Sequence, residues 1–236
     1  MTILAMDTTA KAASVCLATE EKIIGEFFIN TALTHSQTLV PMIEQLCKNA
    51  GVSGDDIEAV AVNAGPGSFT GVRIGVAAAK GFAFPKNLPC VSTSTLESMA
   101  YNLLGSDCVV CALMDARCSQ FYNAFFRVTG EKVERLCDDR AISLSDLQLE
   151  LQGYGEKVVL VGDGAEIAFK GLVNPPRNAA LASVNTRTQT ASSVALAAFK
   201  RITNGETLTP AELMPVYLRL PQAQRELNKR LNINGG

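Results

Sequence analysis

A β-branched apolar run at residues 57–62 meets the turn Gly65-Pro66-Gly67, and a helix-forming segment, residues 70–84, begins at once. Strand, tight turn and helix in that order point to an α/β chain. Backbone N–H groups at such a helix start suit an anion. The phosphate-binding pattern GxxxxGK[ST] also requires a lysine, however, and none lies between Gly65 and Gly71. The segment reads as a nucleotide-type scaffold from which the chemistry has been removed.

The same grammar occurs twice. Residues 3–7 form a buried strand ending Met6-Asp7, followed by Thr8 and Thr9 and by strands at 13–18 and 22–29. Residues 109–115 form a strand ending Met114-Asp115, followed by strands at 120–128 and 132–136. Identity between the halves is slight, so the repeat lies in pattern rather than in letters. The boundaries expected from it are a first subdomain at 1–106 and a second at 107–206, with residues 207–236 packing back on the first.

Helices fall between the strands. Residues 36–50 place Leu39, Ile43, Leu46, Cys47 and Ala50 on one face, and Thr34 and Gln37 have capping-box spacing. Residues 70–84 are apolar nearly all round, with Arg73 and Lys80 as one thin polar stripe. Such a helix must be covered on two sides, either inside a large core or by a neighbouring subunit. Further on, 143–151 reads as a short helix, 158–161 as a strand entering Gly162-Asp163-Gly164, 174–190 as a loop and 192–202 as an apolar helix. The last twenty residues, with Arg219, Arg225, Lys229 and Arg230, read as a polar tail.

Composition excludes several classes. At 236 residues and 47% hydrophobic, the chain has material for one large core or two small ones. A net charge of -2 argues against a broad basic surface for nucleic acid, so an RNA role requires a partner. No apolar run approaches membrane-spanning length and residues 1–7 lack the charged region of a signal peptide, so the expected location is cytoplasmic. Seven scattered cysteines suit free thiols in a reducing compartment. Cys108 and Cys111 lie in a strand and point to opposite faces, which makes a poor zinc site. His35 is the sole histidine, which removes any multi-histidine metal site, and no G-x-S-x-G elbow offers a nucleophile for it to serve. No metal or cofactor is expected in this chain.

The motifs NAGPGSFTGVRIGVAAAKGFAF, ILAMDTT, HSQTLVPMIEQL and MDAR closely resemble the bacterial TsaB (YeaZ) family over about the first 130 residues. The resemblance implies the actin-like (ASKHA) fold, two related βββαβα subdomains around a cleft. It implies a subunit that is not itself the catalyst. With the paralogue TsaD and the ATPase TsaE, it would support threonylcarbamoyl transfer from threonylcarbamoyl-AMP to N6 of the adenosine beside the anticodon, in tRNAs reading codons that start with adenine. The paralogue's two metal-binding histidines correspond here to Thr93 and Glu97, and Glu97 has a sufficient role as a capping partner of Ser94. Asp7, Thr8 and Thr9 face Asp115 and Arg117 as a vestigial nucleotide cleft, in which the aspartates cap their turns. The expected partner interface is Leu39, Val40, Ile43 and Leu46 with Val72, Ile74, Val76 and Lys80, which would make a homodimer when the chain is alone. tRNA is then met through the complex. The rival readings are an independent ATP-dependent phosphotransferase using Asp7 and Asp115, and direct tRNA contact through the basic tail.

Overall fold

The strand that opens the chain, β1 (Ile3–Asp7), is buried along its whole length, and so are β2 (Ala13–Ala18) and β4 (Ala59–Gly65). Strands buried on both faces need helices above and below them, and the sequence supplies both. The computed structural model describes residues 1–31, 33–117 and 120–219. Its first sheet runs β3-β2-β1-β4-β5, with β3 at Ile23–Ile29 and β5 at Cys90–Ser94. β1, β2 and β3 are antiparallel neighbours, whereas β4 and β5 add in parallel. Parallel addition needs crossovers, and these are α1 (His35–Ala50) and α2 (Phe69–Ala83).

The second sheet repeats this order. β6 (Cys108–Asp115) is central, β7 (Gln120–Thr129) and β8 (Lys132–Arg135) add antiparallel on one side, and β10 (Val158–Val161) and β11 (Ala179–Leu181) add parallel on the other. The order β8-β7-β6-β10-β11 matches β3-β2-β1-β4-β5 strand for strand. An additional strand, β9 (Arg140–Ser143), pairs with β7. The crossovers are α4 (Leu144–Gln152) and α5 (Ala165–Gly171). This is the duplicated actin-like α/β fold.

The two remaining long connections form a shared middle layer. α3 (Thr95–Ala100) packs Leu96, Met99 and Ala100 on the inner face of the second sheet. After the short α6 (Val184–Arg187), α7 (Ala191–Thr203) returns to the first sheet, where Val194, Ala195 and Ala198 meet Ile3, Ala5, Ala59 and Ala61. Alanines on that face let the helix approach closely, while the opposite face carries Leu4, Met6, Leu17 and Val62 against α1 and α2. Each sheet is therefore completed by a helix from the other half of the sequence. Asn102 ties the two crossings together, donating to the carbonyls of Thr186 and Thr188 and accepting from Thr190.

Several local readings change. Thr34 precedes α1 without making a side-chain cap bond. Within 174–190, read as loop, lie β11 and α6; β9 and α5 also went unread. Cys108 and Cys111 do point to opposite faces, one packing beside α3 and the other beside α4 and α5. Among the described residues no helix is long and apolar enough to cross a membrane. Arg225, Lys229 and Arg230 lie outside the described residues.

Candidate functional site: the cleft between the halves

The carboxyl ends of β1 and β6 open into one cavity of about 600 Å³ between the two sheets. Its walls include Thr9, Lys11, the Pro66–Thr70 turn, Asp115, Arg117, Asp163 and Tyr217. Sequence analysis placed Asp7, Thr8 and Thr9 opposite Asp115 and Arg117, and the cavity brings Thr9, Asp115 and Arg117 to one space. Asp7 and Thr8 are sealed beneath it, each 1% exposed.

The chemistry of Asp7 is spent on the fold. Its carboxylate accepts from the Thr9 amide (3.0 Å), the Thr9 hydroxyl (3.1 Å) and the Asn63 amide. Asn63 also donates to Ser98 (2.9 Å) and accepts from Thr93 (2.7 Å). Burial nevertheless pushes the Asp7 carboxyl up from its ordinary value, against the pull of these donors. A buried network satisfied in this way holds β1, β4 and β5 in register.

The glycine turn is also filled by protein. A Cβ on Gly67 would lie 2.4 Å from the Thr9 carbonyl oxygen, and one on Gly71 would lie 2.0 Å from that of Thr8. The Ser68 amide donates to the Thr9 carbonyl (2.7 Å), and the Thr8 hydroxyl donates to the Gly71 carbonyl (2.7 Å). The glycines thus admit the β1–β2 turn against the start of α2, and the Thr9 carbonyl takes up the Ser68 N–H that an anion at that helix start could otherwise use.

Asp115 is exposed and caps its own turn, accepting from the Arg117 amide at 2.7 Å while Arg117 holds φ 61°. Asp163 is the cleft residue that sequence reasoning passed over. Gly162 and Gly164 were its signal, because a Cβ on either would strike the end of β6, the first at 1.9 Å from the Leu113 carbonyl oxygen. Asp163 is exposed to the cleft, yet the protein crowded around its carboxyl withdraws enough water, with the charges of Asp115 and Asp7 adding to the effect, to push it up to about 6. Between the ordinary carboxylate value near 3.8 and this value, the native state holds more protons than the unfolded chain, so stability falls as pH rises through that window. Asp163→Asn should therefore melt progressively higher than the parent as pH goes from about 4 to about 6.5; a gain that is constant with pH would refute the assignment.

The predicted interface requires correction. Leu39, Ile43, Leu46, Val72 and Val76 are each at most 6% exposed and form this chain's own core against the first sheet. Lys80 is bound as well: its amine donates to the carbonyls of Ala211 and Leu213, both at 3.1 Å. Of the set, Val40 is exposed and Ile74 half-buried. The polar stripe of α2 holds the returning C-terminal segment, since Arg73 donates to the Tyr217 hydroxyl (2.8 Å) and stacks on Phe69. That segment reaches the edge of the first sheet, where Leu208 pairs with Cys90.

Thr93 and Glu97 are likewise committed. Ser94 caps α3 by accepting from the Glu97 amide (3.3 Å), but the Glu97 carboxylate does not complete a capping box. It pairs with Arg201 (2.9 Å) and Arg135 (3.3 Å), joining α3 to α7 and β8. His35 contacts the Ala10 carbonyl oxygen at 2.8 Å. Among the described residues no group of three His, Cys, Asp or Glu side chains is placed to hold a metal.

Fold and cleft together define an actin-like protein in which the turn after β1 packs its backbone against the Gly65-Pro66-Gly67 turn. A family model described as "TsaD: tRNA N6-adenosine threonylcarbamoyltransferase" matches residues 23–223. The tRNA threonylcarbamoyladenosine biosynthesis protein TsaB of Bacillus subtilis is 31% identical over 69% of this chain and 71% of its own length. That of Escherichia coli is 30% identical over 96% and 98%. The structure of YeaZ from Pseudomonas aeruginosa superposes with a TM-score of 0.80 at 25% identity, covering 92% of this chain and 99% of that one. At 9% identity, component A of the Acidaminococcus fermentans (R)-2-hydroxyglutaryl-CoA dehydratase shares the fold, with a TM-score of 0.50. The chain belongs to the TsaB (YeaZ) family.

Proposed function

We propose that this chain is a non-catalytic subunit of tRNA threonylcarbamoyladenosine biosynthesis that binds and activates the paralogue TsaD. TsaE supplies the ATPase, and the complex transfers threonylcarbamoyl from threonylcarbamoyl-AMP to N6 of the adenosine beside the anticodon in tRNAs reading codons that start with adenine. The supporting observation is the loop of carbonyl oxygens: Thr8 and Thr9 occupy the glycine turn, and Asp7 is held by Asn63 and Thr9. A phosphotransferase would need that turn open and that carboxylate free. In this reading the chain uses no cofactor of its own, the metal belongs to TsaD, and tRNA is met through the complex. The partner face is the solvent side of α1 and α2, around Val40 and Ala77, both exposed. Without the partner, that face joins two copies of the chain.

The test is reconstitution with TsaD, TsaE and tRNA. Transfer should require this chain and TsaD together, and Asp115→Asn should retain activity within about twofold, because Asp115 serves its own turn. Transfer by this chain without TsaD, or loss of activity by more than about tenfold in Asp115→Asn (about 1.4 kcal/mol), would return the chemistry to the cleft.

A further inference from the structure

Residues 208–219 are held in two unequal ways. Up to Leu213 the attachment is deep: the amides of Cys90 and Leu208 exchange bonds with each other's carbonyls at 2.8 Å, and Leu213 is 0% exposed in the core. Lys80 then fixes the carbonyls of Ala211 and Leu213. Beyond Leu213 the segment lies on the surface. Met214, Val216 and Tyr217 are 62%, 50% and 40% exposed, and from Val216 the segment crosses the glycine turn to line the cleft.

Besides the 4.0 Å approach of the Lys80 amine to the Met214 sulfur, three contacts among the described residues hold this outer part. The Val216 amide donates to the Ala64 carbonyl at 2.7 Å, Tyr217 stacks on Phe69 with centroids 4.8 Å apart, and Arg73 donates to the Tyr217 hydroxyl. Gly65 makes the crossing possible, because a Cβ there would lie 2.2 Å from the Val216 carbonyl oxygen. Exposed contacts of this kind are individually weak and compete with water. Arg73 and Phe69 belong to α2, whose outer side faces solvent, so one pair of side chains serves both the helix surface and the cleft wall.

We propose that residues 214–219 are a releasable leaf, hinged at Leu213, that walls the cleft from Val216 onward and is held shut by Phe69 and Arg73 of α2. Loss of the Arg73–Tyr217 contact frees the leaf and opens that wall of the cleft.

Amide exchange by NMR on Arg73→Ala and Tyr217→Ala tests the leaf. The Val216 amide should exchange at least tenfold faster in both variants, with Leu208 and Cys90 unchanged, and Tyr217→Phe should fall between. Retained Leu208 protection also shows that the variants fold. Unchanged exchange at Val216, or equal acceleration at Leu208 and Val216, would overturn the hinge. A soluble neutral gadolinium chelate should broaden Ala116 and Tyr122 more strongly in the variants than in the parent, and equal broadening would overturn the wall.

Discussion

Val76→Asp should leave no cooperatively folded monomer, and Val72→Asp should do the same. Both valines sit under α2 against the first sheet, 3% and 1% exposed. The substitution forfeits roughly 1.5–3 kcal/mol of apolar burial and buries a carboxylate with no partner, which costs several kcal/mol more. A domain stable by roughly 5–15 kcal/mol does not survive that sum well. Far-ultraviolet dichroism should show no sharp thermal transition, or one lowered by roughly 15 °C or more. Ala77→Glu, one residue along and exposed, should melt within about 3 °C of the parent while weakening any complex made through α2. If Val76→Asp melts like the parent and only the complex is lost, the valines face a partner after all.

The second large effect pairs two glycines of one helix. Exchanging glycine for alanine inside a helix ordinarily stabilises by about 1 kcal/mol. Gly81→Ala should do so by roughly 0.5–1 kcal/mol, because its Cβ meets nothing within 4 Å. Gly71→Ala should do the reverse. Its Cβ would lie 2.0 Å from the Thr8 carbonyl oxygen, a backbone atom that moves only if the Asp7-Asn63 network moves with it. A cost of about 3 kcal/mol is expected from such overpacking. Urea midpoints measured side by side decide the matter: opposite shifts support a turn closed on its neighbour, while a midpoint raised in both variants would mean the turn is open enough to take a methyl group after relaxation. That second outcome would reopen the phosphotransferase reading.

Much of the fold was legible because the pattern carried it. The strands ending Met6-Asp7 and Met114-Asp115 occupy equivalent central positions in sheets of equivalent order. The helix apolar all round raised the correct question, namely what covers its second side. The sequence could not supply the answer, because apolar spacing looks the same under a core and under a partner. Arg73 and Lys80 were seen as a stripe, but their acceptors lie more than 130 residues away in the chain, and no local pattern connects them. Asp163 was missed for a different reason. Its glycines were noticed as a turn, whereas their need to pass close to β6 exists only once the sheet has formed. Burial of Asp7 likewise depends on Asn63 and Thr93, each an ordinary polar residue until the strands are adjacent.

The shared middle layer has a consequence for synthesis on the ribosome. The first sheet is complete in sequence at Ser94, yet the helix that covers its inner face begins only at Ala191. At roughly 5–20 residues per second, the gap of about 100 residues lasts on the order of 5–20 s. For that interval the nascent chain carries a finished set of strands with Ile3, Ala5, Ala61 and Val91 bare on one side. The first half therefore cannot reach its final state while it is being made, and an apolar surface stands open to chaperones or to another nascent chain until the second half is nearly complete.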